Sequence, residues 1–380
     1  MAEHPFFHEL KERVCIQRKS GLQRLMLAVS ARDGRSITIK DKKYIDFTSN
    51  DFLGLGRSPR LAQQLTSFLH QGSSAGASRL ISGTSKATLE AEAALAAFFG
   101  YEACLIFSSG FLANFTLLST LFSPAHTLIL DKRVHASTMT GVRHSRAKFH
   151  AFRHNNMAHL EKILCAYPVT AVLTESLFSM DADTPDLNAL QQLKNQFGFL
   201  SILDEAHAFG VLGPQGKGLG QGLADMAVGT LGKAFGLFGA FILGPAAMRD
   251  YLLHFGQGFI YTTALPPGHG DMVLAMLEHI TQADDRRAQL AKVSRDAQEI
   301  LSETGLVVHG QHHILRIDIG DESSCVQIST ALQEKGLLVF AARYPTVPLG
   351  QAKLRVCLSC EHSPADLKKL RDALILSMKE

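Results

Sequence analysis

Several things this 380-residue chain lacks narrow what it can be. No dense run of lysines and arginines occurs, and 38 basic against 35 acidic residues leave a net charge of only +3. Nucleic acid is therefore not an expected partner, since that binding needs a concentrated basic patch. Long apolar runs are missing too. A stretch such as "GLFGAFILG" (236–244) covers about half a membrane span and stops at Pro245. The start, "MAEHPFFHELKERVC", mixes acids, bases and histidines and has no apolar core of the kind a signal peptide needs. A cytoplasmic protein without a membrane partner is expected.

Cysteine is sparse, with six residues scattered through a large chain, which argues against a disulfide scaffold. Cys357 and Cys360 have CxxC spacing, but "KLRVCLSC" looks like a strand, which puts positions three apart on opposite faces. No metal site is expected. Nucleotide signatures are also absent. The glycines of "GPQGKGLGQG" (213–222) do not form GxGxxG between a strand and a helix, and no GxxxxGK precedes Ser or Thr.

What remains is an ordinary globular composition, 46% hydrophobic and 19% charged, long enough for one large domain and a smaller one. From about residue 86 helical and strand-like segments alternate. "TLEAEAALAAFFG" reads as a helix closed by Gly100, then come the strand "ACLIF" and the helix "FLANFTLLSTLF". "TLILD", "KFHAF", "AVLTES", "FLSILDE" and "ADMAVGTL" read as further strands, with amphipathic helices between most of them. That alternation predicts an α/β fold with a mostly parallel sheet covered on both faces. One long helical stretch is expected from Pro266 to Leu301, and the pattern then changes to an α+β layout. The expected division is an N-terminal segment 1–45, a large domain 46–279 and a small C-terminal domain 280–380.

In open parallel sheets ligands bind beyond the carboxyl ends of the strands. Five polar segments stand just after apolar strands: "SSGF" (108–111), "DKRVHAS" (131–137), "TESLFSMD" (174–181), "DEAHAFG" (204–210) and "GTLGK" (229–233). Lys233 is either a loop lysine reaching water or an amine kept as a nucleophile toward a carbonyl. "SSGFLAN" is either a plain strand–helix turn or an anion site at a helix N-terminus. Asp204 is a helix cap or a functional carboxylate, with His207 three residues on. An amine, a carboxylate, a histidine and a phosphate-binding turn on one sheet edge are the groups that pyridoxal 5′-phosphate (PLP) requires.

The motifs "DEAHAFGVLG" and "GTLGKAFG" resemble those of the α-oxoamine synthases, a family of fold-type I PLP-dependent transferases related to aspartate aminotransferase. "YIDFTSNDFLGLG", "SAGASRLISGT", "SSGFLAN", "DKRVHAS", "TESLFSMDAD", "YTTALPP" and "RYPTVP" extend the resemblance, in order, over nearly the whole chain. One departure is that no histidine follows "SGT" at Lys86–Thr88, a position outside the chemical residues.

The resemblance implies that Lys233 carries the cofactor, Asp204 pairs with its pyridine nitrogen, and His207 contacts its ring oxygen. His135 would stack on the ring, Gly110 and Phe111 would bind the phosphate, and Ser179 and Thr230 would lie close by. Thr262 or Thr263 would reach the phosphate of a neighbouring subunit, which implies a homodimer with shared sites. Arg24, Asn50, Thr346 and Arg355 match positions near the amino acid and the acyl chain, with His135 also facing substrate.

Within the family, "VLGPQGKGLG", "AFGLFGAFILG" and "RYPTVP" lean toward members that condense L-alanine with a pimeloyl thioester, carried on coenzyme A or acyl carrier protein. Members using other amino acid and acyl pairs share the core motifs. A silent partner subunit of this fold and a conventional aminotransferase are the rival readings. Lys233 argues against the first.

Overall fold

The computed structural model describes residues 4–20 and 22–378. Helix α1 (Pro5–Lys19) precedes strands β1 (Val29–Asp33), β2 (Ser36–Ile39) and β3 (Lys42–Asp46). Helices α2 (Pro59–Ser67) and α3 (Lys86–Phe99) then lead to β4 (Ala103–Phe107). Strict alternation follows with α4 (Gly110–Leu121), β5 (Thr127–Asp131), α5 (Ala136–Ser145) and β6 (Lys148–Phe152). It continues through α6 (Met157–Ala166), β7 (Ala171–Glu175), α7 (Leu187–Phe197) and β8 (Leu200–Asp204). Strands β9 (Met226–Thr230) and β10 (Ala240–Gly244) complete this sheet, and α8 (Ala246–Phe255), α9 (Gln257–Ile260) and α10 (His269–Thr281) follow. The remainder is α11 (Asp284–Ser302), β11 (Val308–His309), β12 (Ile314–Gly320), α12 (Glu322–Glu334), β13 (Leu337–Leu338), β14 (Phe340–Ala342), β15 (Ala352–Cys357) and α13 (Pro364–Ser377).

The helices start and stop where short polar residues and glycine allow. Ser85 caps α3 by accepting from the Thr88 amide, and Gly100 ends it in a left-handed conformation at φ 78°. Asp186 and Gly198 do the same for α7. The seven-stranded sheet has the order β4-β10-β9-β8-β7-β5-β6. Strand β10 runs antiparallel to both its neighbours and the other pairings are parallel. Strands β4 and β7 are buried along their whole length, as strands covered on both faces must be. In β9, β8, β7 and β5, four neighbouring strands, the last residues are Thr230, Asp204, Glu175 and Asp131.

Two compact units emerge. One holds Asn50–Ser179 and Asp183–Gln289, including the seven-stranded sheet; the other joins the chain up to Ser49 to Met180–Ala182 and to the chain from Leu290 on. The expected boundaries differ from this at several places, including residues 46–49 and Met180–Ala182, which fall in the other unit. Segment 1–45 is not separate, because β3 pairs in parallel with β13 and draws β1 and β2 into a four-stranded sheet with it. The C-terminal boundary falls at Leu290, inside α11, rather than at 280. The single helix expected from Pro266 is also two, α10 and α11, broken at Gln282 and Ala283. Asp284 and Asp285 stand in the first turn of α11, where acidic side chains favour a fresh helix start.

Candidate active site

Strands β9 and β10 are buried neighbours, and the turn between them carries Lys233. The turn is tight because the Leu231 amide donates to the Gly239 carbonyl, the Leu237 amide to the Leu231 carbonyl, and the Gly236 amide to the Lys233 carbonyl. Gly236 sits at φ 63°, and a Cβ there would overlap the backbone of Gly56. Only glycine fits both the conformation and the contact. Half-buried Lys233 directs its Nζ to within 2.8 Å of His207 Nε2.

An open cavity of about 200 Å³ lies here, lined by residues that include Gly110, Phe111, His135, Ser179, Asp204, His207, Thr230 and Lys233. Four of the five polar segments thus converge through these residues together with the fifth, "SSGF", through Gly110 and Phe111. Ser109 caps α4 and accepts from the Leu112 amide at 3.3 Å, which leaves the first turn of a 12-residue helix at the cavity wall. A Cβ on Gly110 would meet no heavy atom within 4 Å, so its backbone stands open.

Asp204 does not cap a helix. Its Oδ2 accepts from Asn114 Nδ2 at 2.8 Å, and its Oδ1 accepts from the Ala206 amide at 3.0 Å. Asn114 Nδ2 also donates to Ser137 Oγ at 3.1 Å, and Ser137 Oγ lies 2.7 Å from His135 Nδ1. The Ser137 amide donates to the same His135 nitrogen at 3.2 Å, so that nitrogen carries a lone pair and the ring is neutral. Burial pushes the His135 pKa down, opposed by Asp204 and reinforced by Lys233. The neighbouring Glu205 turns elsewhere: it accepts from Ser176 Oγ at 2.6 Å and from the Gly220 amide at 2.5 Å. Burial raises its carboxyl, against those bonds, to about 7.

Reading the sequence missed Asn114, Ser137, Ala206 and Glu175 among the lining residues. Asn114 stands one turn beyond Gly110 on the same helix face, a spacing that could have marked it. Glu175 is 4% exposed, and burial, then the Asp204 charge, hold its carboxyl well above the usual range. The apolar run before "TES" signals a buried strand but not the Asp204 charge beside its last residue.

The other expected residues are not among those that line this cavity. Thr262 and Thr263 line a separate pocket with Arg79, Thr88 and Ser108. Asn50 opens the same unit without lining the cavity. Arg24, Thr346 and Arg355 belong to the other unit. Arg24 is exposed in an irregular segment beyond α1, Thr346 is exposed in the turn after β14, and Arg355 is buried on β15 opposite Arg316 and Phe340. Cys357 ends β15 and Cys360 lies beyond the strand, so the two do not share one strand geometry. Among the described residues no cluster of histidine, cysteine and carboxylates is placed to hold a metal, and no helix is long and apolar enough to cross a membrane.

The class I and II aminotransferase profile matches residues 42–374. The chain belongs to the class I and II aminotransferase family. An 8-amino-7-oxononanoate synthase of Chromobacterium violaceum is 36% identical, the match covering 98% of this chain and 97% of that one. The structure of the 8-amino-7-oxononanoate synthase from Francisella tularensis matches with a TM-score of 0.77 at 29% identity, over 88% of this chain and 98% of that one. A serine palmitoyltransferase variant from S. paucimobilis, with PLP–myriocin bound, matches at a TM-score of 0.92 and 25% identity, covering 100% and 99%.

This class I and II aminotransferase chain thus has the fold-type I architecture, is a PLP-dependent transferase, and takes PLP as its cofactor. The cavity fits that group on its own chemistry. An amine, a fixed carboxylate, a neutral imidazole and an open helix N-terminus face one space.

Proposed function

We propose that the chain catalyses the reaction of its 8-amino-7-oxononanoate synthase relatives, joining L-alanine to a pimeloyl thioester with loss of carbon dioxide, as a step of biotin biosynthesis. The observation that carries the reading is the cavity at the sheet's carboxyl edge, where Lys233, Asp204, His135 and His207 meet. In the reaction a bond forms between alanine Cα and the acyl carbonyl carbon, and the thiol leaves. The alanine carboxylate departs as carbon dioxide and a proton returns to the carbon.

Bound in the cavity, PLP supplies an electron sink for negative charge at the amino acid's Cα. Lys233 Nζ would hold the cofactor covalently, and its amine would serve to move the Cα proton. Asp204, which accepts from Asn114, would face the pyridine nitrogen and keep a proton on it. His207 would donate to the ring oxygen, neutral His135 would shield the ring from water, and Gly110 and Phe111 would offer backbone N–H groups to the phosphate. Ser179 and Thr230 complete the wall.

Arg355 is assigned to the alanine carboxylate, Arg24 to the acyl chain, and Asn50 and Thr346 to substrate, all by resemblance. A homodimer follows from the same resemblance, with Thr262 or Thr263 serving the partner's phosphate. Arg355→Lys keeps the charge and loses the planar fork, so alanine saturation should weaken by about tenfold or more.

The deciding experiment crosses L-alanine, glycine and L-serine with acetyl, succinyl, pimeloyl and palmitoyl thioesters, on coenzyme A and on acyl carrier protein, reading carbon dioxide and ketone. Each buried methylene contributes just under about 1 kcal/mol, so pimeloyl should beat acetyl by several powers of ten in kcat/KM. Preference for palmitoyl with serine would indicate sphingoid-base synthesis, and acetyl with glycine a 2-amino-3-ketobutyrate ligase. Turnover of a keto acid without any thioester would indicate an aminotransferase.

A further inference from the structure

Beside the cavity, at the carboxyl ends of β6, β5 and β7, stands a second group that the reaction above does not use. His154 stands two residues beyond the end of β6. Its Nδ1 lies 2.9 Å from Asp131 Oδ1, and its Nε2 lies 3.0 and 3.1 Å from the two oxygens of Asp183. Phe178 meets the ring edge-on, with centroids 4.5 Å apart.

Each of these two aspartates belongs to a turn that carries one lining residue of the cavity. Fully buried Asp131 accepts from the Arg133 amide at 2.7 Å and from the Asn155 amide at 2.8 Å, and its carbonyl accepts from Val134. These bonds shape the turn that delivers His135 to the start of α5. On the other side the Phe178 amide donates to the Asp183 carbonyl at 2.9 Å, closing a turn that contains Ser179. His154 touches both ends of that turn, through Phe178 and through Asp183.

We propose that His154 is a positioning residue, whose doubly hydrogen-bonded ring clamps the His135 turn to the Ser179 turn and so fixes the width of the cavity. The inference rests on the reading of that cavity as the PLP site. Ionised carboxylates only accept, so both ring nitrogens must donate, and the clamp is complete only as the imidazolium. The charged groups facing the ring are Asp131 from β5 and Asp183 from the segment after β7. Burial works against the charge, but hydrogen bonds and attraction to these two carboxylates outweigh it and hold the ring at about 9. Above that pH one nitrogen presents a lone pair to a carboxylate and the clamp opens.

The test is rebinding of PLP to the apoprotein, followed by cofactor absorbance and circular dichroism, for wild type, His154→Gln and Asp183→Asn. At about pH 7.5, His154→Gln should weaken PLP binding by about tenfold and Asp183→Asn by about threefold, as lost charge-assisted bonds do. Melting temperatures confirm that the variants are folded; should His154→Gln fail to fold, Asp183→Asn, altered at a partly exposed side chain, decides alone.

The discriminating readout is the pH profile. The wild-type-to-variant ratio should fall toward one by about pH 10, where wild type has lost the same charge. Equal affinities at both pH values, or a ratio that stays constant with pH, would overturn the clamp. Failure of wild type itself to bind PLP would instead overturn the cavity reading.

Discussion

His135 and His154 stand on neighbouring loops of one sheet edge, yet their surroundings push them in opposite directions. His135 Nδ1 accepts from the Ser137 amide, and burial holds the ring neutral. His154 is also partly buried, but two carboxylates face its two nitrogens and hold it charged. Burial alone does not decide a histidine's charge; the count of acceptors around it does. The difference suits the work assigned to each. A neutral ring can lie on a cofactor face, whereas a cation can tie two acidic turns together.

The comparison breaks most severely on the cavity side. Lys233→Ala should remove turnover by about four powers of ten or more while leaving the fold and the His154 group untouched. Borohydride should fix PLP to Lys233 in wild type, and mass spectrometry finding the adduct on another lysine would refute the assignment. Asp204→Asn comes next. Without the anion facing the pyridine nitrogen, kcat should fall more than about a hundredfold, near 3 kcal/mol. Near-normal turnover with only a lowered melting temperature would make Asp204 a structural residue.

Asn114→Ala should cost less, because it removes the donor that aims Asp204 and keeps the charge. About tenfold in kcat is expected for one lost hydrogen bond to a charged group. Ser137 Oγ loses the same donor, so the variant should also disturb His135; a His135 titration unchanged by NMR would separate the two ends of that chain.

Residues legible in the sequence were those whose signal is local. Asp204 and Lys233 follow apolar runs, and the strand–turn–helix grammar alone puts such positions at a sheet's carboxyl edge. Glu175 follows the same grammar, but its raised carboxyl comes from burial and then from Asp204 beside it in β8, a neighbour 29 residues on. His154 is further from view: its partners are Asp131, at the end of β5, and Asp183, in the segment after β7. The N-terminal strands escaped for the same reason. Ile45 pairs with Leu337, and no local pattern announces a partner that distant.

The smallest expected effect sharpens the comparison most directly, because the two histidines should bend the stability curve in opposite senses. His135 has a lowered folded pKa, so unfolding takes up a proton and stability falls as pH drops below the unfolded value of about 6.5. His154 has a raised one, about 9, so its contribution is complete below about pH 6.5 and disappears as pH rises through 9. Asp183 is 40% exposed, so solvent screens part of the attraction and about 1–2 kcal/mol is a fair magnitude at neutral pH. Denaturant unfolding of wild type and His154→Gln between about pH 6 and 10 isolates this histidine from every other titrating group. The gap in unfolding free energy should be widest at the acid end and close near pH 10. A gap of constant width would mean that the fold does not hold His154 charged, and the contrast with His135 would then lie in their partners alone.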